Sequence, residues 1–159
     1  MDVTLREFDP ADLDEVHALI ARTVEASYAG VYCRTAIDHF HEHHTRDQIL
    51  KDAAEGCTLV LVAAGRIVGT GTLVGAYVGR MYVAPGHQGK GLGGRILEAL
   101  ESRARAGGVG TVDLAASTPA RRFYERRGYR LVAERAHEFP GGERLDWFEM
   151  VKSLPPGSQ

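Results

Sequence analysis

Leu13, Val16, Ala18, Leu19, Ile20 and Val24 recur at the three- and four-residue spacing of a single helix face, with polar residues between them. Asp9-Pro10 marks the entry, because proline is tolerated in a first turn whose N–H groups have no intrahelical partner. Before it, Val3, Leu5 and Phe8 alternate loosely with polar residues and predict a short strand. The period changes at Cys57. CTLVLVAA (57–64) and RIVGTGTLV (66–74) are β-branched runs separated by Gly65, the turn chemistry of a hairpin. A third run, 76–83, is closed by Pro85. Ile96, Leu97 and Leu100, with Ala99 and Ala104, then form an amphipathic helix that stops at Gly107-Gly108. TVDLAA (111–116) is the next strand. A crossover this short, from strand through helix to strand, requires 76–83 and 111–116 to run parallel. Pro119 opens a helix that continues through Tyr124 and ends at Gly128, and strands near 129–135 and 146–152 complete the chain. The pattern is an α+β domain with a mixed sheet.

Residues 31–56 are the hardest to read. Thr45 and Gln48 have the spacing of a capping box, so a helix from Thr45 to Ala54 is expected. The preceding RTAIDHFHEHHTRD has only weak helical spacing. Its His39, His41, His43 and His44 would converge on a metal if extended, whereas a helix puts His39 and His43 on one face. No cysteine or second histidine group completes a metal site, so no metal is called and a solvated helix surface is the expected reading.

With 159 residues, 44% apolar and 25% charged, the chain has the size and balance of one globular domain, read as 1–153 with a disordered tail at 154–159. No apolar run approaches the roughly 20 residues of a membrane span, and acids stand in the N-terminal stretch where a signal peptide needs bases, so a cytoplasmic location is expected. Cys33 and Cys57 are read as reduced. The net charge of -2 hides an asymmetry: residues 1–60 carry 12 acids and 5 bases, and residues 61–159 carry 9 acids and 14 bases. A polyanionic ligand suits the second part and a cationic one the first.

Chemistry concentrates in VAPGHQGKGLGGRIL, Val83 to Leu97. A strand that leads through a glycine-rich turn into a helix presents unpaired N–H groups at the positive end of the helix dipole, a site for phosphate. Gly89, Gly91 and Gly94 satisfy the G-x-G-x-x-G of dinucleotide folds, with Asp113 about 20 residues on. That reading fits poorly. Pro85, Gly86, His87 and Gln88 separate the strand from the first glycine, and Asp113 sits early in its strand.

Gln88-Gly89-Lys90-Gly91-Leu92-Gly93 also matches Q/R-x-x-G-x-G/A preceded by MYVAP, and here the chain resembles the GNAT superfamily of acyl-CoA-dependent N-acetyltransferases. ASTPARRFYERRGY (116–129) is similar to that superfamily's A-x-x-F-Y-x-x-x-G-[FY] helix, and FEMVK near residue 150 to its final strand. The resemblance implies a sheet of six to seven strands with a splayed parallel pair that holds acetyl-CoA as cosubstrate. It makes Met81 and Val83 backbone partners of pantetheine, and makes Gln88, Gly89, Lys90, Gly91, Leu92, Gly93 and Gly94 the pyrophosphate cradle. Lys90 and Arg95 are either phosphate partners or solvated bases.

By the same resemblance Tyr124 lies beside the sulfur as general acid, and Ser117 either hydrogen-bonds the pantetheine arm or caps a helix. Relatives with a glutamate base near Tyr77 find no counterpart here, since 76–83 holds no acid. Water, Glu143, Glu149, His137 or the histidine stretch remain as bases, and that stretch could line the acceptor pocket. The implied acceptor is a primary amine on a small molecule or peptide, cationic if the acid-rich part forms its side of the site. Neither nucleic acid nor membrane is a partner on this reading, and homodimerisation is common among relatives. The alternative is a regulatory module that binds CoA without turnover.

Overall fold

In the computed structural model, which describes residues 2–156, the expected hairpin is β2 (Cys57–Ala63) and β3 (Arg66–Val74), turned by Ala64 and Gly65 with positive φ. β1 (Val3–Glu7) pairs antiparallel with β2, and β4 (Tyr77–Val83) with β3. β5 (Thr111–Ala116) runs parallel to β4 and antiparallel to β7 (Arg144–Ser153), which also carries β6 (Arg130–Glu138). The seven-stranded order is β1-β2-β3-β4-β5-β7-β6, with β4 and β5 parallel as the crossover argument requires.

β6 and β7 extend past the runs expected near 129–135 and 146–152. Most of their distal residues, His137, Glu138 and Arg144 among them, are polar and exposed, so hydropathy does not report them, yet the ladder continues to Glu138↔Arg144, with Leu145 turned inward and buried. Leu154, the first residue of the expected tail, is buried, and its N–H donates to the Gly110 carbonyl at 2.8 Å. Residues 157–159 of that tail lie outside the described residues.

Five helices cover the sheet: α1 (Leu13–Tyr28), α2 (Arg34–Glu42), α3 (Arg46–Glu55), α4 (Leu92–Ala106) and α5 (Arg121–Glu125). Thr45 and Gln48 make the reciprocal bonds of the capping box that starts α3. α4 lies directly on β3 because Gly69 and Gly71 carry no side chains there. A Cβ on Gly71 would stand 2.7 Å from Ile96 and 3.1 Å from Leu100. This contact fixes where α4 begins, so it also places the glycine loop. Leu100 is fully buried. Leu100→Ala is expected to cost about 2–5 kcal/mol of unfolding free energy, read from the urea midpoint.

Candidate active site

β4 and β5 pair only at Tyr77↔Asp113 and Val78↔Leu114, and beyond Gly79 β4 has no partner on that side. The strands part at a bulge where the β3 register shifts between Thr70 and Thr72 and Arg80 takes a left-handed φ of 49°. Such a conformation in a non-glycine residue costs on the order of 1–3 kcal/mol and persists only when neighbours enforce it. Three bonds hold the Arg80 guanidinium: to the Asp52 carboxylate of α3, to the His43 carbonyl at 3.1 Å, and to His44 Nδ1 at 3.2 Å. The Ala84 N–H donates to the Val68 carbonyl at 2.8 Å, so by strand alternation Met81 and Val83 turn their backbone groups to the open side. The Val83 carbonyl accepts the Gln88 side-chain amide there at 2.9 Å.

Past β4 the chain turns through Gly89 (φ 77°) and Gly91 (φ 79°), and Gly91 caps α4. The first α4 bond runs from Arg95 N–H to the Gly91 carbonyl at 3.2 Å, which leaves the N–H groups of Leu92, Gly93 and Gly94 without intrahelical acceptors. A Cβ on Gly93 would meet the Phe123 ring at 3.1 Å, and one on Gly94 would meet the Arg127 guanidinium at 2.8 Å. Arg127 lies over the Phe123 ring at 3.9 Å and donates to the Phe123 carbonyl at 3.1 Å. It therefore sets a fixed cation beside the first turn of α4. Motif matching passes over it because its place depends on how α5 and the loop to Gly128 settle against α4. Lys90 and Arg95 are exposed.

A cavity of about 300 Å³ opens where β4 and β5 part. Tyr28, His39, Phe40, His43 and His44 form one wall, β4 from Tyr77 to Tyr82 forms a second, and Ser117, Tyr124, Leu145 and Trp147 stand across it. Tyr124 is 6% exposed, with its ring edge-on to Phe123 at 5.0 Å and to Tyr129 at 5.6 Å. Burial, with the nearby Tyr28 and Tyr77 hydroxyls, holds its phenol well above the usual range. The group keeps its proton and can act only as a donor near neutrality. Ser117 precedes the turn at Thr118–Ala120 but makes no side-chain cap, so the capping role is not found.

The histidine stretch corrects the surface reading. His39 on α2, and His43 and His44 in the turn that follows it, line the cavity, while His41 bonds Glu25 at 2.6 Å away from it. Arg80 donates to His44 Nδ1, which places the imidazole proton on Nε2 and directs it to the Tyr82 hydroxyl at 2.9 Å. Burial and the Arg80 charge push His44 down to about 3. The acid-rich surface is a second correction, since no aspartate or glutamate lines the cavity. Several acids of the first part are paired with arginines instead: Glu25 with Arg34, Asp14 with Arg46, and Asp52 with the wall residue Arg80. Of the other candidate bases, Glu143 accepts from Thr35 at 2.9 Å, Glu149 pairs with Arg135 at 3.2 Å and His137 stacks on His39 at 5.3 Å. All three stand outside the lining. Among the described residues no group of three or more His, Cys, Asp or Glu is placed to hold a metal ion, and no helix is long and apolar enough to cross a membrane.

A family model described as an acetyltransferase (GNAT) domain matches residues 26–154. The chain belongs to the GNAT acetyltransferase family. A GCN5-related N-acetyltransferase of Rhodopseudomonas palustris superposes with a TM-score of 0.87 over 97% of both chains, at 26% identity. The PaiA N-acetyltransferase of Thermoplasma acidophilum, solved with coenzyme A, superposes with a TM-score of 0.77 over 97% of this chain and 100% of its own, at 18% identity. An uncharacterized N-acetyltransferase of Bacillus subtilis is 41% identical over 56 residues, 35% of this chain and 40% of that protein's length. The parted β4 and β5 and the glycine turn into α4 thus stand within a GNAT domain.

Proposed function

We propose that this GNAT domain transfers the acetyl group of acetyl-CoA directly to a primary amine of a small molecule or peptide. The observation that carries the reading is the open edge of β4 beside the glycine-capped start of α4, with a protonated phenol in the cavity between them. Pantetheine amides would pair with the open-side backbone groups of Met81 and Val83, sharing or displacing the Gln88 amide at the Val83 carbonyl. The pyrophosphate would lie on Gln88 through Gly94, where N–H donors and the helix dipole converge, with Arg127 adding charge. Coenzyme A in the Thermoplasma protein and acetyl-CoA in a Salmonella typhimurium relative of the same fold support this assignment. A ribosomal-protein-alanine N-acetyltransferase of Escherichia coli shares the fold, which keeps peptide amines within the acceptor class.

In the reaction the amine nitrogen attacks the thioester carbon and the tetrahedral intermediate expels the thiolate. Tyr124 gives its phenolic proton to the sulfur as the C–S bond breaks, and the amine loses its own proton to water or to an imidazole of the wall. A cytoplasmic location and homodimerisation complete the proposal. Nothing in the geometry favours the regulatory-module alternative, which assigns no work to the phenol in the cavity.

Stabilisation by ligand is the direct test. CoA at about 100 times its dissociation constant should add roughly 2.7 kcal/mol to the native state and raise Tm accordingly. NAD should leave Tm unchanged. The opposite result would return the loop to a dinucleotide role.

A further inference from the structure

We propose that the acceptor is a weakly basic primary amine on a flat aromatic body, an arylamine or aryl hydrazine, taken up neutral and not as an ammonium ion. The inference deepens the acetyl-transfer reading and rests on it.

The cavity is walled by rings. Tyr28 and Phe40 meet at 4.5 Å on one side, Tyr77 and Tyr82 stand along β4, and Tyr124 and Trp147 close the far side. A cavity of roughly 150 Å³ suffices for benzene. The 300 Å³ present here therefore has room for one aromatic ring beside the acetyl end of the cosubstrate.

The walls offer an ammonium ion nothing. None of the lining residues is a carboxylate, and the nearby carboxylates of Asp52 and Glu149 are bound by Arg80 and Arg135. The wall itself bears a cation, Arg80. Ring faces alone can attract an ammonium, but the imidazoles on these walls report the opposite field. His44 and His39 are both held below the usual range, burial being the first cause in each, followed by Arg80 for His44 and by His43 and His137 for His39. A cation placed among them meets the same penalty.

Proton removal points the same way. The bases on the walls are imidazoles, and the His44 Nδ1 lone pair is already taken by Arg80. An alkylammonium with pKa near 10.4 holds its proton about 10⁴-fold more tightly than an imidazolium near 6.5. An arylamine delocalises its lone pair into the ring, so it is neutral near pH 7 and needs no base before it attacks.

The test compares p-toluidine, phenylethylamine and spermidine as acceptors with the full chain and acetyl-CoA, following CoA release and product mass at pH 7 and pH 9. The groups facing the cavity are Tyr28 of α1, His39, His43 and His44 of the α2 segment, Tyr77, Arg80 and Tyr82 of β4, and Tyr124 of α5. The four tyrosines are shifted up and His39 and His44 down, so these do not titrate across that interval. His43 also faces the cavity, so a slope common to all three acceptors belongs to the protein and only the difference between acceptors belongs to the amine. The expected kcat/KM at pH 7 is at least about 100-fold higher for p-toluidine than for either alkylamine, as the neutral fractions require. The alkylamine values should climb roughly tenfold per pH unit while the arylamine value stays within about 3-fold.

His43 is exposed, so His43→Glu can add a carboxylate to the rim without burying it, and should move the ratio at least about tenfold toward phenylethylamine. Phenylethylamine or spermidine equalling p-toluidine at pH 7 overturns the proposal, as does the absence of acetylated p-toluidine. Thermal stabilisation by CoA, run alongside, separates the two levels: without it the acetyl-transfer reading itself fails, and with it the acceptor ratio judges this inference alone.

Discussion

Gly91→Asp is expected to lower CoA affinity by about 100-fold or more while leaving a folded protein, measured by calorimetric titration and by loss of the CoA-dependent rise in Tm. The position has the left-handed φ of 79° that glycine adopts freely, and an added Cβ meets nothing within 4 Å. The side chain therefore enters open space, and the cost to the free protein is the roughly 1–2 kcal/mol of a left-handed non-glycine residue. That open space is where a pyrophosphate would approach the N–H groups of Leu92, Gly93 and Gly94. A carboxylate there opposes the ligand's charge and can itself take those donors. Since each 1.4 kcal/mol is tenfold in affinity, two such effects suffice for the stated loss. Gly91→Asn has the same shape without the charge, and should recover part of the binding. If the aspartate variant binds CoA within about 3-fold of wild type, the loop is not the cradle.

The glycine turn was legible in the chain because its geometry is local. Positive φ, a strand ending at Pro85 and a helix with a clear apolar face are short-range properties, and they predict free N–H groups wherever they occur together. Arg80 and Arg127 were not legible, for the opposite reason. Each is one arginine among many in the sequence, and its role comes from partners far along the chain: Asp52, His43 and His44 for the first, the start of α4 for the second. The histidine stretch had too weak a period to decide between surface and pocket, and only the seating of α2 against α1 and the hairpin of β6 and β7 turns His39 and His43 inward. Charge counting misled outright. The acids of residues 1–60 are real, but Glu25, Asp14 and Asp52 are matched by arginines and none lines the cavity, so a regional sum carried no information about the acceptor site.

Tyr124→Phe should lower kcat by about 10-fold or more while the CoA dissociation constant stays nearly constant, because a general acid acts only as the thiolate forms and such groups contribute roughly 10²- to 10⁴-fold. The substitution keeps the ring, and the edge-on contacts to Phe123 and Tyr129 involve the ring alone, so folding and ligand binding have little reason to change. What is lost is one hydroxyl whose proton the surroundings hold firmly through burial and the neighbouring phenols. Retention keeps the donor form present, and the thiolate, charged and desolvated at the instant it leaves, supplies the pull on the proton. It also predicts that activity across pH 7 to 9 shows no ionisation of this tyrosine. Tyr28 lines the same cavity and could protonate the sulfur through a bound water, so a residual rate in the phenylalanine variant is expected and the double variant Tyr28→Phe, Tyr124→Phe should fall further than either alone. Single-turnover measurement makes the comparison at the chemical step. A kcat within about 2-fold of wild type there would leave Tyr124 as packing on α5, with water supplying the proton to sulfur.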